Sequence, residues 1–442
     1  MAVPVVAVIG AGYAGMACAV ELARAGVHVT VFERSHTMGG RARVVHKDHD
    51  WRVDNGQHIL LGAYTELTRL LRLTGCSPKQ LAHLPLTLHV PGRLHFKAAA
   101  LPAPFHLVVG LLRARGLSWG DRLAMLRLMR WLKKQDFRTP PEMTVTAMLQ
   151  HTRQTPAMIE LVWVPLCVAA LNTPADEAAA QVFANVLRDS LAASATDSEL
   201  LIPRTDLSEL FPVPAARYLA TRRGRVRTGN AIDAIEPVAG GGFRLEGDPG
   251  SQPWPNVVIA TAPYHAGTLL ASTGQCDQLA AHIDALPHEP IVSVYLALGK
   301  GQRLPETMIG LVGGSATAPA QWAFDRGQLG GPEGLMACVI SARGAHEDLP
   351  RDALIRAVHR QLEQNLGRTL PAPLWSQVIV EKRATIACRP GISRPGMRTP
   401  LRGLWLAGDY LDSPYPATLE SAVRSGTACA AAILAELGWG NN

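Results

Sequence analysis

Three glycines near the start of the chain have the spacing of a phosphate-binding turn. Gly10, Gly12 and Gly15 follow an apolar run, and Glu33 lies about 20 residues beyond them. The first glycine permits a tight turn, the second lets backbone approach a pyrophosphate, and the third allows close helix packing. The acid can accept hydrogen bonds from an adenosine ribose, which argues against a 2′-phosphate. The pattern predicts a dinucleotide site with contacts from Gly10, Ala11, Gly12, Tyr13, Ala14, Gly15, Glu33 and Arg34.

The surrounding residues predict the elements that hold this turn. Residues 5–9 have the pattern of a buried strand, a helix follows with a C-cap at Gly26, and residues 27–33 form a second strand. The helix N-terminus would offer free N–H groups and a positive dipole end to phosphates. The uncharged run 2–20 is therefore interpreted as strand, turn and helix. It lacks the basic segment that begins a signal peptide.

A second glycine turn, Gly39-Gly40-Arg41, comes soon after Glu33 and Arg34. A second phosphate contact so near the first favours a long cofactor. The alternative is an ordinary turn followed by a surface arginine.

The segment "LWLAGD" (404–409) has the pattern of a buried strand ending at Asp409, and a helix follows it. Together with these elements, the glycine motifs resemble the flavin amine oxidase and phytoene desaturase superfamily. The resemblance implies FAD as cofactor. It implies that Gly408 and Asp409 contact the ribityl phosphate part, and that Thr418 and Leu419, at the next helix N-terminus, face the flavin pyrimidine. It places Val226 at the adenine, Ala260 in a strand closing over the cofactor, and Gly56 beside the isoalloxazine.

The implied fold class is α/β, a Rossmann-like FAD-binding domain with a mixed α+β substrate lobe. The implied FAD domain is discontinuous, covering 1–95, 205–265 and 375–442. The substrate lobe would then comprise 96–204 and 266–374.

A narrower resemblance runs through five segments. They are "VDNGQHILLGAY" (53–64), "PLCVAALNTP" (165–174), "LLIPRTDLSELFP" (200–212), "EKRATIACRPG" (381–391) and "LAGDYLDSPYPATLESAVRSG" (406–426). The chain is similar there to the hydroxysqualene dehydroxylases. That family removes the allylic hydroxyl of hydroxysqualene to give squalene for hopanoid-type lipids. The implied mechanism protonates the leaving hydroxyl and delivers hydride from N5 of reduced FAD to the carbon.

The polar cluster inside "VDNGQH" is costly to bury without partners. The resemblance makes His58 the first candidate for the acid and Gln57 an orienting donor. The alternative for His58 is a hydrogen-bonded core histidine. Asp54 and Asn55 can also be a satisfied structural turn.

Residues 101–138 combine apolar and basic side chains. Leu123, Leu126, Met129 and Trp131 occupy apolar positions. An amphipathic helix of this composition suits an anionic membrane surface, and the alternative is a surface helix packed on the core. Segments 161–183 and 291–299 are apolar enough to line a hydrocarbon site, or to form plain core.

Composition limits the other classes. The chain has 442 residues, 48% hydrophobic and 18% charged, with a formal charge of +7 and seven cysteines. No nucleic-acid motif accompanies that charge. The cysteines form no CxxC pair, so we predict buried thiols, no metal site and a reducing cytoplasm. The amphipathic segment 101–138 would place the chain at the inner face of the cytoplasmic membrane.

Three other functions stay open. A carotenoid-type desaturase would remove hydride rather than deliver it. An amine oxidase could use Tyr410, Tyr415 and Lys382, but a second cage position is not apparent. A flavin-binding scaffold without turnover is the third. The electron donor has no distinct nucleotide motif and is left unknown.

Overall fold

The computed structural model describes residues 3–46, 51–192, 194–250 and 252–439. The strands are β1 (Val5–Ile9), β2 (His28–Glu33), β3 (Val44–His46), β4 (Arg52–Asp54), β5 (Leu60–Leu61), β6 (Leu81–Leu84), β7 (Thr87–Val90), β8 (Leu94–Lys97), β9 (Leu200–Pro203), β10 (Arg225–Thr228), β11 (Ala234–Pro237), β12 (Phe243–Glu246), β13 (Asn256–Ile259), β14 (His288–Ala297), β15 (Met308–Gly310), β16 (Trp322–Asp325), β17 (Leu335–Ser341), β18 (Trp375–Ile386) and β19 (Leu404–Leu406). The helices are α1 (Tyr13–Arg24), α2 (Thr65–Leu73), α3 (Phe105–Arg113), α4 (Trp119–Lys134), α5 (Val145–His151), α6 (Pro156–Met158), α7 (Val164–Leu171), α8 (Ala180–Leu187), α9 (Leu207–Leu210), α10 (Pro212–Ala220), α11 (Pro263–Ala271), α12 (Asp277–Asp284), α13 (Arg351–Leu366) and α14 (Leu419–Leu437).

A five-stranded parallel sheet, in the order β10-β2-β1-β13-β19, forms one layer. Its central strands are apolar on both faces, as a parallel sheet covered by helices requires. Helix α1 packs against α14, and a Cβ on Gly426 would lie 2.1 Å from the Ala14 carbonyl oxygen. The carboxyl ends of β1, β13 and β19 therefore meet at one edge, where ligands bind in such sheets.

The strands of this sheet come from the three segments predicted for the FAD domain. Strands β1 and β2 lie in 1–95, β10 and β13 in 205–265, and β19 in 375–442. Strand β18, however, begins the third segment and pairs with β14 in a different sheet. The division into domains stays a prediction.

The second five-stranded sheet has the order β15-β16-β17-β14-β18 and is antiparallel. Segments 161–183 and 291–299, predicted as apolar walls, meet in one buried cluster on this sheet. Its members include Trp163, Phe183 and Tyr295, together with the buried face of α4. The predicted fold class, α/β with a mixed lobe, is confirmed.

Two predicted elements need correction. The strand "LWLAGD" ends at Leu406 rather than Asp409, because the Gly408 N–H leaves the sheet and donates to Ser425 Oγ at 3.0 Å. The amphipathic segment 101–138 contains two helices, separated by a turn in which Gly116 has φ +86°.

The side chains on α4 also divide differently from the prediction. Met129 and Trp131 are partly buried and pack on the core, whereas Leu123 and Leu126 are exposed. Within the described ranges, no helix has the length and apolarity to cross a membrane. All seven cysteines are buried and unbonded to one another.

Candidate active site

The first glycine turn has room for a ligand at one position only. A Cβ on Gly10, whose φ is +110°, would lie 2.7 Å from the Ala260 carbonyl oxygen. A Cβ on Gly15 would lie 2.1 Å from the Gly10 carbonyl oxygen. Gly10 and Gly15 are thus required by the protein itself. A Cβ on Gly12 would meet nothing nearer than the Gly40 Cα at 4.0 Å, so Gly12 leaves space for a group approaching the backbone.

The second glycine turn lies directly beside the first. The Gly39 N–H donates to the Ala11 carbonyl at 2.9 Å, and Gly39 pairs with Gly12 as an isolated bridge. Gly39 and Gly40 have φ of +122° and +61°, which favour glycine. The structure therefore brings together the two turns that the sequence assigned to one cofactor.

Glu33 ties the first turn to the end of β2. Its two carboxylate oxygens accept the Ala11 and Ser35 N–H groups, each at 2.8 Å. The Ala11 N–H is consequently occupied by protein, although the carboxylate keeps free lone pairs.

Two other predicted contacts have side chains engaged elsewhere. Arg34 pairs with Asp233 at 2.6 Å on the surface. The Tyr13 ring is buried and its O–H donates to the Leu207 carbonyl at 2.8 Å, so Tyr13 can serve a cofactor only through its backbone.

Arg41 joins three distant parts of the chain. Its guanidinium donates to the Ala384 carbonyl and to Asp409 Oδ1, both at 2.5 Å. Arg41 and Asp409, two predicted cofactor residues, are therefore neighbours. In this arrangement the guanidinium binds protein, and a phosphate contact would have to share it.

Four further predicted contacts lie at element ends or edges. Thr418 caps α14, because its Oγ1 accepts the Ser421 N–H at 3.1 Å, and Leu419 packs beside α1. Val226 lies on the edge strand β10, opposite Val31. Ala260 follows β13 and its N–H donates to the Ile9 carbonyl at 2.8 Å.

Two polar side chains of segment 53–64, Asp54 and Asn55, form hydrogen bonds to other parts of the protein. Asp54 Oδ1 accepts the Leu207 N–H at 2.9 Å, and Asn55 Nδ2 donates to Glu381 Oε2 at 3.2 Å. Burial raises the pKa of Asp54 to about 7, although the Leu207 N–H and Arg326 oppose the shift. These contacts describe a satisfied structural turn for Asp54 and Asn55.

Gln57 and His58 are oriented by hydrogen bonds at close range. Gln57 Oε1 accepts from Arg326 at 3.1 Å, and its Nε2 donates to the His58 carbonyl at 3.1 Å. His58 Nδ1 lies 2.9 Å from the Gly56 carbonyl oxygen. Since a carbonyl only accepts, Nδ1 carries the proton and Nε2 of the neutral ring is an acceptor. Burial lowers the pKa of His58, and Arg41 lowers it further against the Gly56 hydrogen bond.

Arg326 and Tyr295 are positioning residues that sequence reasoning missed. Arg326 follows β16 and holds Gln57, while the Tyr295 hydroxyl on β14 donates to the Asp54 carbonyl at 2.9 Å. Both come from the second sheet, far along the chain from segment 53–64. No local motif signals such a contact.

Some buried polar atoms near these residues lack a partner within the described residues. They are Thr261 Oγ1, which follows Ala260, Ser293 Oγ and Tyr410 Oη. Ser293 Oγ lies 3.7 Å from a Cβ built on Gly56. Thr261 and Tyr410 follow β13 and β19, whereas Ser293 lies within β14. Unpaired buried hydroxyls at these positions fit a polar group bound nearby.

A separate cluster of potential metal ligands combines two histidines of the β7–β8 hairpin with Glu306, which precedes β15. One atom each from His89, His95 and Glu306 lies within 4.8 Å of the others. None of these residues belongs to the glycine turns or to segment 53–64. The sequence predicts no metal, and metal analysis of the purified protein would test that prediction here.

A parallel sheet with two adjoining glycine turns at the carboxyl ends of its strands is the arrangement of the dinucleotide-binding class of α/β proteins. The model of the flavin containing amine oxidoreductase family matches residues 13–434. The chain belongs to that family and is a flavin-dependent oxidoreductase.

Curated relatives extend over nearly the whole chain. The hydroxysqualene dehydroxylase of Rhodopseudomonas palustris is 29% identical, covering 97% of this chain and 98% of its own length. That of Zymomonas mobilis is 28% identical, covering 96% and 97%. A zeta-carotene desaturase of Capsicum annuum is more distant, at 24% identity over 97% of this chain and 80% of its own length. These similarities confirm the resemblance seen in the sequence.

Solved structures agree on the fold. An oxidoreductase from Methanosarcina mazei superposes with a TM-score of 0.75 at 17% identity, covering 96% of this chain and 99% of its own. Cyclohexylamine oxidase from Brevibacterium oxydans gives 0.64 at 17% identity, covering 99% of each.

Proposed function

We propose that the chain binds FAD and reductively removes the hydroxyl of hydroxysqualene, giving squalene. The observation that carries this proposal is the similarity to three hydroxysqualene dehydroxylases, at 27–29% identity along nearly the full length. The residues present fit FAD, because Gly12 leaves space beside the backbone and the Thr261 hydroxyl lacks a partner among the residues that the structure describes.

Bound FAD in its reduced form would supply the hydride. The substrate's C–O bond breaks, the hydroxyl takes up a proton and leaves as water, and hydride takes its place on carbon. Hydroxide is a poor leaving group, and a positioned acid typically contributes 10²–10⁴-fold. The apolar cluster around Trp163, Phe183 and Tyr295 is packed core. The partly buried side chains packed against it, such as Ile59 and Val164, would offer a polyprenyl chain a hydrocarbon wall.

His58 is our candidate acid, and its hydrogen bonds define how it would act. Nε2 must first take up a proton, since Nδ1–H is held by the Gly56 carbonyl. Gln57, fixed by Arg326, would position the His58 backbone rather than its ring.

The proposed cofactor contacts use the two glycine turns, Glu33 and the N-terminus of α14. Gly12, Gly39 and Gly40 would face the pyrophosphate. The free lone pairs of the Glu33 carboxylate would accept hydrogen bonds from the ribose hydroxyl groups. The capped N-terminus of α14 at Thr418 would place a positive dipole end near the flavin, where it favours the negative charge of reduced flavin.

An anaerobic single turnover tests the proposal. The purified protein is loaded with FAD and reduced chemically, because the physiological electron donor is undefined. Hydroxysqualene is added, flavin reoxidation is followed by absorbance, and the lipid is identified by mass spectrometry. Squalene forming at the rate of reoxidation supports the proposal. Flavin that stays reduced, with no squalene, overturns it.

A carotenoid-type desaturase is the second candidate, favoured by the 24% identity to zeta-carotene desaturases. It would remove hydride from a hydrocarbon. Oxidised protein that becomes reduced on adding phytoene would select this reaction. Peroxide formed rapidly with a polyamine would instead select amine oxidation, whose solved representatives share only the fold.

A further inference from the structure

One stretch of the chain, residues 101–126, carries most of the exposed large apolar side chains among the described residues. Seven large apolar side chains in residues 101–126 are at least 41% exposed. Among the other described residues, only Val3, Leu374 and Val380 are similarly exposed. We call the seven the apolar face, and they are Leu101, Phe105, Val108, Leu112, Trp119, Leu123 and Leu126. Isolated exposed apolar residues are ordinary, but a concentration like this one marks an interaction site.

The apolar face is built on helical spacing. Phe105, Val108 and Leu112 are three and four residues apart on α3, and such spacing aligns side chains on one face. On α4 the outward residues are Trp119, Leu123 and Leu126. The opposite face of α4 buries Leu128 and Leu132 in the core. Each helix thus has apolar side chains on two sides, and the core covers only one side of each helix.

Arg122 fixes the two helices relative to each other. Its guanidinium group donates to the Leu111 carbonyl at 3.0 Å, the Ala114 carbonyl at 2.7 Å and the Leu117 carbonyl at 2.5 Å. Its charge lies 5.1 Å from the Trp119 ring centroid. Arg122 therefore ties the first turn of α4 to the end of α3, and these two helices, which we call the α3–α4 hairpin, carry six of the seven side chains of the apolar face.

Basic side chains accompany the apolar face. Seven are exposed, and none pairs with a carboxylate in the part of the chain that the structure describes. They are Arg113, Arg115, Arg127, Arg130, Lys133, Lys134 and Arg138. Of the acids in this region, Asp121 is buried in the cap of α4, which leaves Asp136 exposed.

We propose that the α3–α4 hairpin docks on an anionic lipid bilayer, with the apolar face at the headgroup–acyl boundary and the basic residues against the headgroups. This combination is characteristic of interfacial helices. A second copy of the chain fits less well, since a symmetric contact would oppose the two sets of cations. In the cell, the inner leaflet of the cytoplasmic membrane is an anionic lipid surface of this kind.

The apolar face is on the outer side of the lobe whose inner residues contact segment 53–64. Leu128 and Leu132 belong to the cluster that contains Tyr295, and Tyr295 holds the Asp54 carbonyl. Docking would therefore bring the proposed substrate lobe to the phase in which polyprenyl lipids dissolve. The docking itself does not depend on which lipid is transformed.

Vesicle co-sedimentation with the FAD-loaded full chain tests the proposal. The vesicles are phosphatidylcholine, with or without phosphatidylglycerol. The variants are F105S/W119S/L123S, the charge variant R130Q/K133Q/K134Q, and the matched control L374S, which removes an apolar side chain that is 80% exposed elsewhere. We expect the unmodified chain and L374S to bind phosphatidylglycerol vesicles. The apolar variant should partition onto these vesicles at least tenfold less than the unmodified chain. The charge variant should bind more weakly than the unmodified chain mainly at low salt, where electrostatic attraction is least screened.

Unchanged sedimentation of the apolar variant, or no binding by the unmodified chain, would overturn the proposal. A dimer in sedimentation velocity that the apolar variant dissociates would assign the face to a second copy instead. Single turnover with detergent-dissolved substrate should be unchanged in the apolar variant. That measurement separates a failure of docking from a failure of the proposed chemistry.

Discussion

At His58, one hydrogen bond decides which ring nitrogen can exchange a proton. Nδ1 is held by the Gly56 carbonyl, and burial keeps the ring neutral by lowering its pKa. A neutral imidazole accepts at Nε2, so His58 can donate only after protonation.

This leads to a pH prediction for single turnover. If His58 supplies the proton, the rate should rise as pH falls through its lowered pKa, below about 6.5. In His58→Gln we expect the rate to be about 10²-fold lower at acidic pH and to lose that rise. Flavin reoxidation measured between pH 5 and 8 checks this. An unaltered profile in His58→Gln would exclude His58 as the acid.

Asp54 allows a test of stability that is independent of turnover. Its folded pKa of about 7 lies above the unfolded value near 4. The folded state therefore holds the proton more tightly, and this stabilisation is lost as pH rises through about 7.

We expect the Tm of the unmodified chain to fall more steeply between pH 5 and 8 than that of Asp54→Asn, whose amide can still accept from Leu207. Thermal unfolding followed by circular dichroism gives both slopes. Equal slopes would show that Asp54 does not titrate in this range.

At the scale of elements, the first glycine turn offers a matched pair of substitutions, with Gly15 as the structural control for Gly12. At Gly15 an added Cβ would meet backbone at 2.1 Å, whereas at Gly12 it meets no protein atom closer than 4.0 Å. We expect Gly12→Ala to fold with a nearly unchanged Tm in the cofactor-free state and to lose flavin. Gly15→Ala should lower the Tm of the cofactor-free protein. Flavin absorbance and thermal unfolding measure the two effects, and flavin retained in Gly12→Ala would refute the assignment.

The elements also show where sequence reasoning works. The glycine spacing predicts β1, α1 and β2, because each signal lies within a few residues of the element it defines. The contact from Arg326 to Gln57 has no such signal, since it depends on how a distant sheet packs. Likewise, spacing alone predicted the apolar positions of α4 but not that Leu123 faces outward and Trp131 inward.

Across the whole molecule, the Arg41–Asp409 pair joins the second glycine turn to the segment after β19. The pair is mostly buried, with side-chain exposures of 26% and 11%. Removing one partner of a buried pair leaves the other charge uncompensated, at a cost of about 3–5 kcal/mol for full burial.

We therefore expect Arg41→Gln to destabilise the protein by about 3 kcal/mol at most, given the residual exposure, and to weaken flavin retention. Asp409→Asn should restore part of the lost stability in the double variant, because it removes the unpaired carboxylate. Denaturant unfolding of the two single variants and the double variant measures the coupling. Strict additivity would mean that the two groups do not interact.

The strand order of the parallel sheet also has a consequence for biosynthesis. Strand β19 pairs with β13, and β13 with β1, so the sheet edge that carries the glycine turns is completed by residues 404–406. A growing chain can form β1, α1 and β2 early, yet it cannot close that edge until the segment containing β19 and α14 has been made. Such long-range pairing is slow and leaves apolar strands exposed while it is incomplete. Flavin should therefore bind late in the synthesis and folding of each chain. In cells that are short of flavin, the cofactor-free chain should accumulate and be cleaved more readily by proteases.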